Sequence, residues 1–110
     1  MGNDESQSPL VTVVVPAYNR ESCVGEAIES VLAQETDFGY EVIVVDDGST
    51  DRTGEVARSY GYPVRVIGKE NGGPASARNA GVLAARSALI AFLDSDDLMA
   101  PGRLSRQAEF

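Results

Sequence analysis

At 110 residues and 11.6 kDa the chain makes one domain or part of one, which excludes two domains and a solenoid of several long repeats. Its 43% hydrophobic and 24% charged residues are those of a soluble globular protein, and no apolar run approaches the roughly 18 residues of a membrane span. The net charge of −8 weighs against a nucleic-acid partner, and the absence of histidine removes histidine-based triads and the usual zinc sites.

Met1 to Ser8 carries Asp4 and Glu5 without a basic head or an apolar run, so it reads as a flexible tail and not as a signal peptide. Residues 9–110 then alternate strand and helix. Leu10 to Val15 is a β-branched run stopped by Pro16, the pattern of a strand buried on both faces. From Glu21 to Gln34, Val24, Ala27, Ile28, Val31 and Leu32 recur at the spacing of one helix face. Tyr40 to Val45 predicts a second strand ending at Asp46. Asp51 to Tyr60 predicts a short helix whose Asp51 suits the positive N-terminal dipole. A weaker strand follows over Pro63 to Ile67, and Asn71, Gly72, Gly73 and Pro74 lead into an Ala-rich helix reaching about Arg86, with Pro74 in its first turn. Ala88 to Leu93 predicts the fourth strand, and Pro101 opens a last helix that runs toward Phe110.

This order implies an α/β fold: an open, mostly parallel sheet with helices on both faces, joined by right-handed crossovers. In such sheets ligands sit beyond the carboxyl ends of the strands. The polar segments Pro16 to Arg20, Asp46 to Asp51, Gly68 to Pro74 and Asp94 to Asp97 each follow a strand, so all four converge on one edge. The acid is concentrated there too. Without Asp46, Asp47, Asp51, Asp94, Asp96, Asp97 and the tail's Asp4 and Glu5, nine acidic residues balance nine basic ones.

Asp94, Asp96 and Asp97 stand together where mutual repulsion calls for a cation or donor groups, and hard oxygen ligands suit Mg²⁺ or Mn²⁺; helix capping and turn formation are the other use of such aspartates. Asp46 to Asp51 is a strand-to-helix turn in which Ser49 or Thr50 could cap, or an acidic pair that accepts hydrogen bonds from a base or a ribose. Asn71 to Asn79 resembles an anion site, with glycines at a helix mouth and Arg78 one turn inside, although a plain loop fits it equally. It lacks the spacing of a dinucleotide fingerprint or a P-loop. Tyr18 could stack on a flat base or simply pack, and Cys23 reads as a small helix residue.

Taken together, four motifs in order resemble family 2 glycosyltransferases of the GT-A fold: Val13 to Asn19, Val44 to Asp51, Asn71 to Gly73 with Ala77 to Gly81, and Phe92 to Asp97. The match covers Leu10 to Phe110. The resemblance implies binding of a nucleotide-diphosphate sugar, usually UDP-linked, and transfer of the sugar to an acceptor hydroxyl with inversion. It also implies that Pro16 and Tyr18 line the base pocket, that Asp47 reads the base, and that Arg78 lies near the nucleotide. Asp94 and Asp96 match the ends of the family's Asp-x-Asp motif, Asp96 as the direct ligand of Mn²⁺ or Mg²⁺ and Asp94 on the ribose or a metal-bound water. The acceptor, a saccharide, lipid or protein, is not specified. The acceptor-binding half and the catalytic base of such enzymes lie beyond the point matching Phe110, so the chain is expected to hold the donor-binding half, with apolar surface available for a homodimer.

A non-catalytic nucleotide-binding module and a haloacid-dehalogenase-like phosphatase are the alternatives. Against the latter, Leu98 stands where that family prefers Thr or Val, and three strands precede the acidic motif instead of following it. A single cysteine excludes an internal disulfide and fits the cytoplasm, or the inner face of a membrane for a longer protein.

Overall fold

The computed structural model describes residues 9–108, so the expected tail over Met1 to Ser8 lies outside the described residues. The elements follow in the order β1 (Val11–Ala17), α1 (Val24–Leu32), β2 (Tyr40–Asp46), α2 (Thr53–Arg58), β3 (Val64–Gly68), α3 (Pro74–Ala84), β4 (Leu89–Phe92) and α4 (Arg103–Ala108). The four strands form one all-parallel sheet in the order β3-β2-β1-β4.

β1 is central, with Val13 in register with Val42 on one side and Ala91 on the other, and its run from Val11 to Val15 is buried throughout. The pleat sends Val11, Val13, Val15 and Ala17 to one face, where they meet α1, α2 and Leu104 of α4. It sends Val14 to the other, where Val14, Ile43 and Val45 meet Ala77 of α3. Helices thus cover both faces, as the alternation of elements predicts.

Most elements end within a few residues of the sequence reading, and two of the differing boundaries have visible reasons. β1 does not stop at Pro16 but continues to Ala17, whose carbonyl accepts the Asp47 N–H at 2.8 Å; a proline removes one donor without breaking the ladder around it. α1 starts at Val24 because Glu21 to Cys23 form a turn, closed by the Val24 N–H on the Arg20 carbonyl at 2.8 Å. At the other end of α1 the buried Gln34 accepts the Leu104 N–H at 3.2 Å and donates to the Ala100 carbonyl at 2.9 Å, which docks α4.

α3 approaches the sheet at Gly81. A Cβ there would overlap Val14 Cγ1 and lie 3.1 Å from Cγ2, and Val14 is fully buried with no room to yield. Gly81→Ala gains about 1 kcal/mol of helix propensity. Overpacking costs about 2–3 kcal/mol, so a net loss of about 1–2 kcal/mol is expected, read as a lower urea midpoint at unchanged slope.

Candidate functional site

The carboxyl ends of β1, β2 and β4 and the first turn of α3 enclose a cleft of about 380 Å³, within the range of small-ligand sites. Pro16, Tyr18, Asp47, Asp94 and Asp96 from three of the polar segments line this one cleft, together with Asn71 and Gly73 from the fourth and Arg78 on α3. Tyr18 stands just past β1 and is 45% exposed, so a ring face is open to a ligand. Arg78 is half-buried on the first turns of α3 and makes no ion pair with any described residue, which leaves its charge for the cleft.

Asp47 is the most constrained residue of the site. Its carboxylate is 3% exposed and accepts from Lys69 Nζ and the Gly72 N–H on Oδ1, each at 3.0 Å, and from the Gly73 N–H at 2.9 Å and Asn71 Nδ2 at 3.3 Å on Oδ2. Burial pushes the carboxyl up, but the bonds from Lys69, Gly72 and Gly73 outweigh it and hold the group below its ordinary value. The anion expected at the Gly-Gly loop is therefore the chain's own Asp47. A ligand donor reaches this carboxylate by sharing or displacing one of those partners. Gly48 lets the two loops meet: its φ is +76°, and a Cβ there would come within 2.6 Å of the Asn71 nitrogen.

After β4 the chain turns, with the Asp97 N–H on the Asp94 carbonyl at 3.0 Å, and one carboxylate oxygen from each of Asp94, Asp96 and Asp97 lies within 4.8 Å of the others. All three side chains are exposed, and Asp94 and Asp96 face the cleft. Three hard oxygen donors at this spacing and with access to water fit a small divalent cation that keeps several positions for water and phosphate.

Sequence reasoning passed over Lys69, Asn71 as a partner of Asp47, and Arg20, which lines the cleft beside Tyr18. A basic residue in the first loop and another two positions before the Asn-Gly-Gly segment were the available signals. Among the described residues no helix is long and apolar enough to cross a membrane.

The sequence model described as Glycosyl transferase family 2 matches residues 12–110. An uncharacterized glycosyltransferase of Bacillus subtilis, EpsJ, is 44% identical over 104 residues, which are 92% of this chain and 30% of that protein. The succinoglycan biosynthesis protein ExoO of Rhizobium meliloti is 50% identical over 103 residues, 92% of this chain and 29% of its own length. Among solved structures, S. aureus TarS in complex with UDP-GlcNAc superposes with a TM-score of 0.80 at 35% identity, over 90% of this chain and 30% of that one. The mannosyltransferase PcManGT of Pyrobaculum calidifontis, in complex with GDP-Man and Mn²⁺, gives 0.78 at 30% identity, over 94% and 32%. The chain thus spans under a third of the length of these relatives.

Proposed function

The chain belongs to the family 2 glycosyltransferases, and we propose that it binds the nucleotide diphosphate of a sugar donor, UDP-linked in the first instance, for transfer of the sugar to an acceptor hydroxyl. The observation that carries this reading is the convergence of an open aromatic ring, a buried carboxylate, a free guanidinium and paired exposed carboxylates on one cleft. The complexes of TarS with UDP-GlcNAc and of PcManGT with GDP-Man support it by likeness.

In this reading Tyr18 and Pro16 hold the base, and Asp47 accepts one of its N–H groups. Arg78 faces the diphosphate, and Asp94 accepts a ribose hydroxyl. Asp96, with Asp94 beside it, would hold Mn²⁺ or Mg²⁺. Such an ion offsets the negative charge that develops as the diphosphate leaves. Transfer proceeds with inversion: the acceptor oxygen bonds to the anomeric carbon as the bond to the diphosphate breaks. The acceptor proton passes to a carboxylate base supplied by sequence outside these residues, so this stretch is the donor half. The free Cys23 fits the reducing cytoplasm as the place of action.

The test is calorimetric titration of UDP and of GDP with and without Mn²⁺. One of them is expected to bind, and Mn²⁺ to tighten it by about tenfold or more, the size of a charge-assisted contact. Asp96→Ala is expected to abolish that Mn²⁺ dependence. Failure of both nucleotides to bind with Mn²⁺ present would sink the proposal.

A further inference from the structure

Among the described residues Asn19 is the only non-glycine residue at positive φ, at 54°, and it sits directly after Tyr18 at the cleft mouth. That left-handed conformation costs an L-residue energy, and Asn tolerates it because a short polar side chain can bond locally. Here the bonds run to another loop. The Asn19 N–H donates to Ser49 Oγ at 2.9 Å, and Asn19 Oδ1 accepts the Thr50 N–H at 2.8 Å and Thr50 Oγ1 at 3.3 Å. The next residues extend the seam, with the Arg20 N–H on Thr53 Oγ1 at 2.7 Å and the Glu21 N–H on Asp51 Oδ2 at 3.2 Å.

The clamp therefore ties the residue after Tyr18 to the segment that begins just after Asp47, the two groups on which the base reading depends. Its own members Asn19 and Thr50 are exposed, so it buries little apolar surface and adds little to global stability. A positive-φ residue at a site mouth whose own side-chain bonds lie between exposed loops points to a role in the site.

We propose that Asn19 is a positioning residue for the nucleobase end of the cleft: it holds Tyr18 over the base by clamping the loop after β1 onto the loop after β2. The inference rests on the donor reading above. It is distinct from that reading, which assigns Asn19 nothing.

The test is a double-mutant cycle for nucleotide binding in the presence of Mn²⁺, using UDP or GDP, whichever the unsubstituted chain binds. Asn19→Ala is expected to weaken binding about tenfold, with the thermal midpoint of unfolding nearly unchanged. Asn19→Gly, which relieves the backbone but removes the oxygen, is expected to weaken it similarly, and it carries the test if the alanine variant fails to fold. Asn19→Asp keeps both the oxygen and the tolerance of positive φ, so it is expected to stay within about twofold of the original. In a Tyr18→Ala background the Asn19 substitutions are expected to change affinity by less than about twofold, because coupled residues are not additive. Unchanged affinity in Asn19→Gly, or the same loss with and without Tyr18, overturns the inference while leaving the donor reading intact. If the unsubstituted chain binds neither nucleotide, the donor reading falls and this inference falls with it.

Discussion

Replacing Asp47 by alanine is expected to weaken nucleotide binding by about a hundredfold or more, the largest effect of any single substitution in the cleft. The carboxylate has two tasks that no neighbour duplicates. It is the acceptor proposed for the base, and it fixes the Gly72-Gly73 segment through both backbone N–H groups while pairing with Lys69. Removing it leaves two backbone donors and an ammonium, 22% exposed, facing an apolar methyl. Asp47→Asn is expected to be no milder, since one end of the amide must turn an NH₂ toward groups that are themselves donors. Titration calorimetry on both variants checks this. A loss in Asp47→Asn much smaller than in Asp47→Ala would show that the donor network is not what the carboxylate is for. The pH dependence has a definite sign. A carboxyl held below its ordinary value of 3.8 contributes stability that is fully present above that value and lost as pH falls through the lowered one.

The second large effect lies at the opposite edge of the sheet. Glu41, 1% exposed at the start of β2, accepts from Thr12 Oγ1 at 2.7 Å, the Arg86 N–H at 2.8 Å, Arg65 Nη2 at 3.1 Å and Arg86 Nε at 3.3 Å. Arg65 also donates to the Ala84 carbonyl at 2.8 Å. One carboxylate thus joins β1, β2, β3 and the end of α3. Glu41→Ala is expected to destabilise the fold by about 3 kcal/mol, the low end for breaking a buried ion pair, because the guanidinium groups of Arg65 and Arg86 keep access to water. In thermal unfolding that lowers Tm by more than about 10 °C for a domain of this size. Glu41→Gln, which keeps an acceptor oxygen, is expected to lose about half as much. Burial raises the Glu41 pKa, but the bonds from Arg86, Thr12 and Arg65 bring it below 4.5, so this contribution too is present above pH 4.5 and fades below it. A change within about 0.5 kcal/mol in Glu41→Ala would mean that the network contributes only geometry.

What was legible in the sequence is what local pattern encodes. Runs such as Val42 to Val45 and the spacing of Val24, Ala27, Ile28 and Val31 gave the elements, and parallel pairing then gathered the cleft residues at one edge. The motif residues from Pro16 to Asp96 meet in one cleft because they lie at or beyond the carboxyl ends of strands of the same sheet, with Arg78 on the first turns of the helix after β3. Partnerships across long separations left no such trace. Glu41 was visible as an acid within an apolar strand, but Arg65 and Arg86 are 24 and 45 positions away and belong to no shared period. Asp47 was visible as a site residue, yet its capture by Lys69 and two glycines, 22 to 26 positions later, comes from the meeting of two loops. Asn19 carries its signal in a backbone angle, which residue type alone does not reveal.

The strand order bears on how the domain assembles. β1 is made first and lies in the middle, but Val11 pairs with Tyr40 across 29 positions and with Leu89 across 78. Closing the longer loop costs more chain entropy before any contact repays it, which favours pairing of β1 with β2 ahead of its pairing with β4. The acidic turn follows β4 directly. The strand with the most distant partner thus brings the acidic turn to the cleft, and the donor proposed above, by bridging Asp94 and Asp96 to Tyr18 and Asp47, is expected to stabilise that strand against local opening.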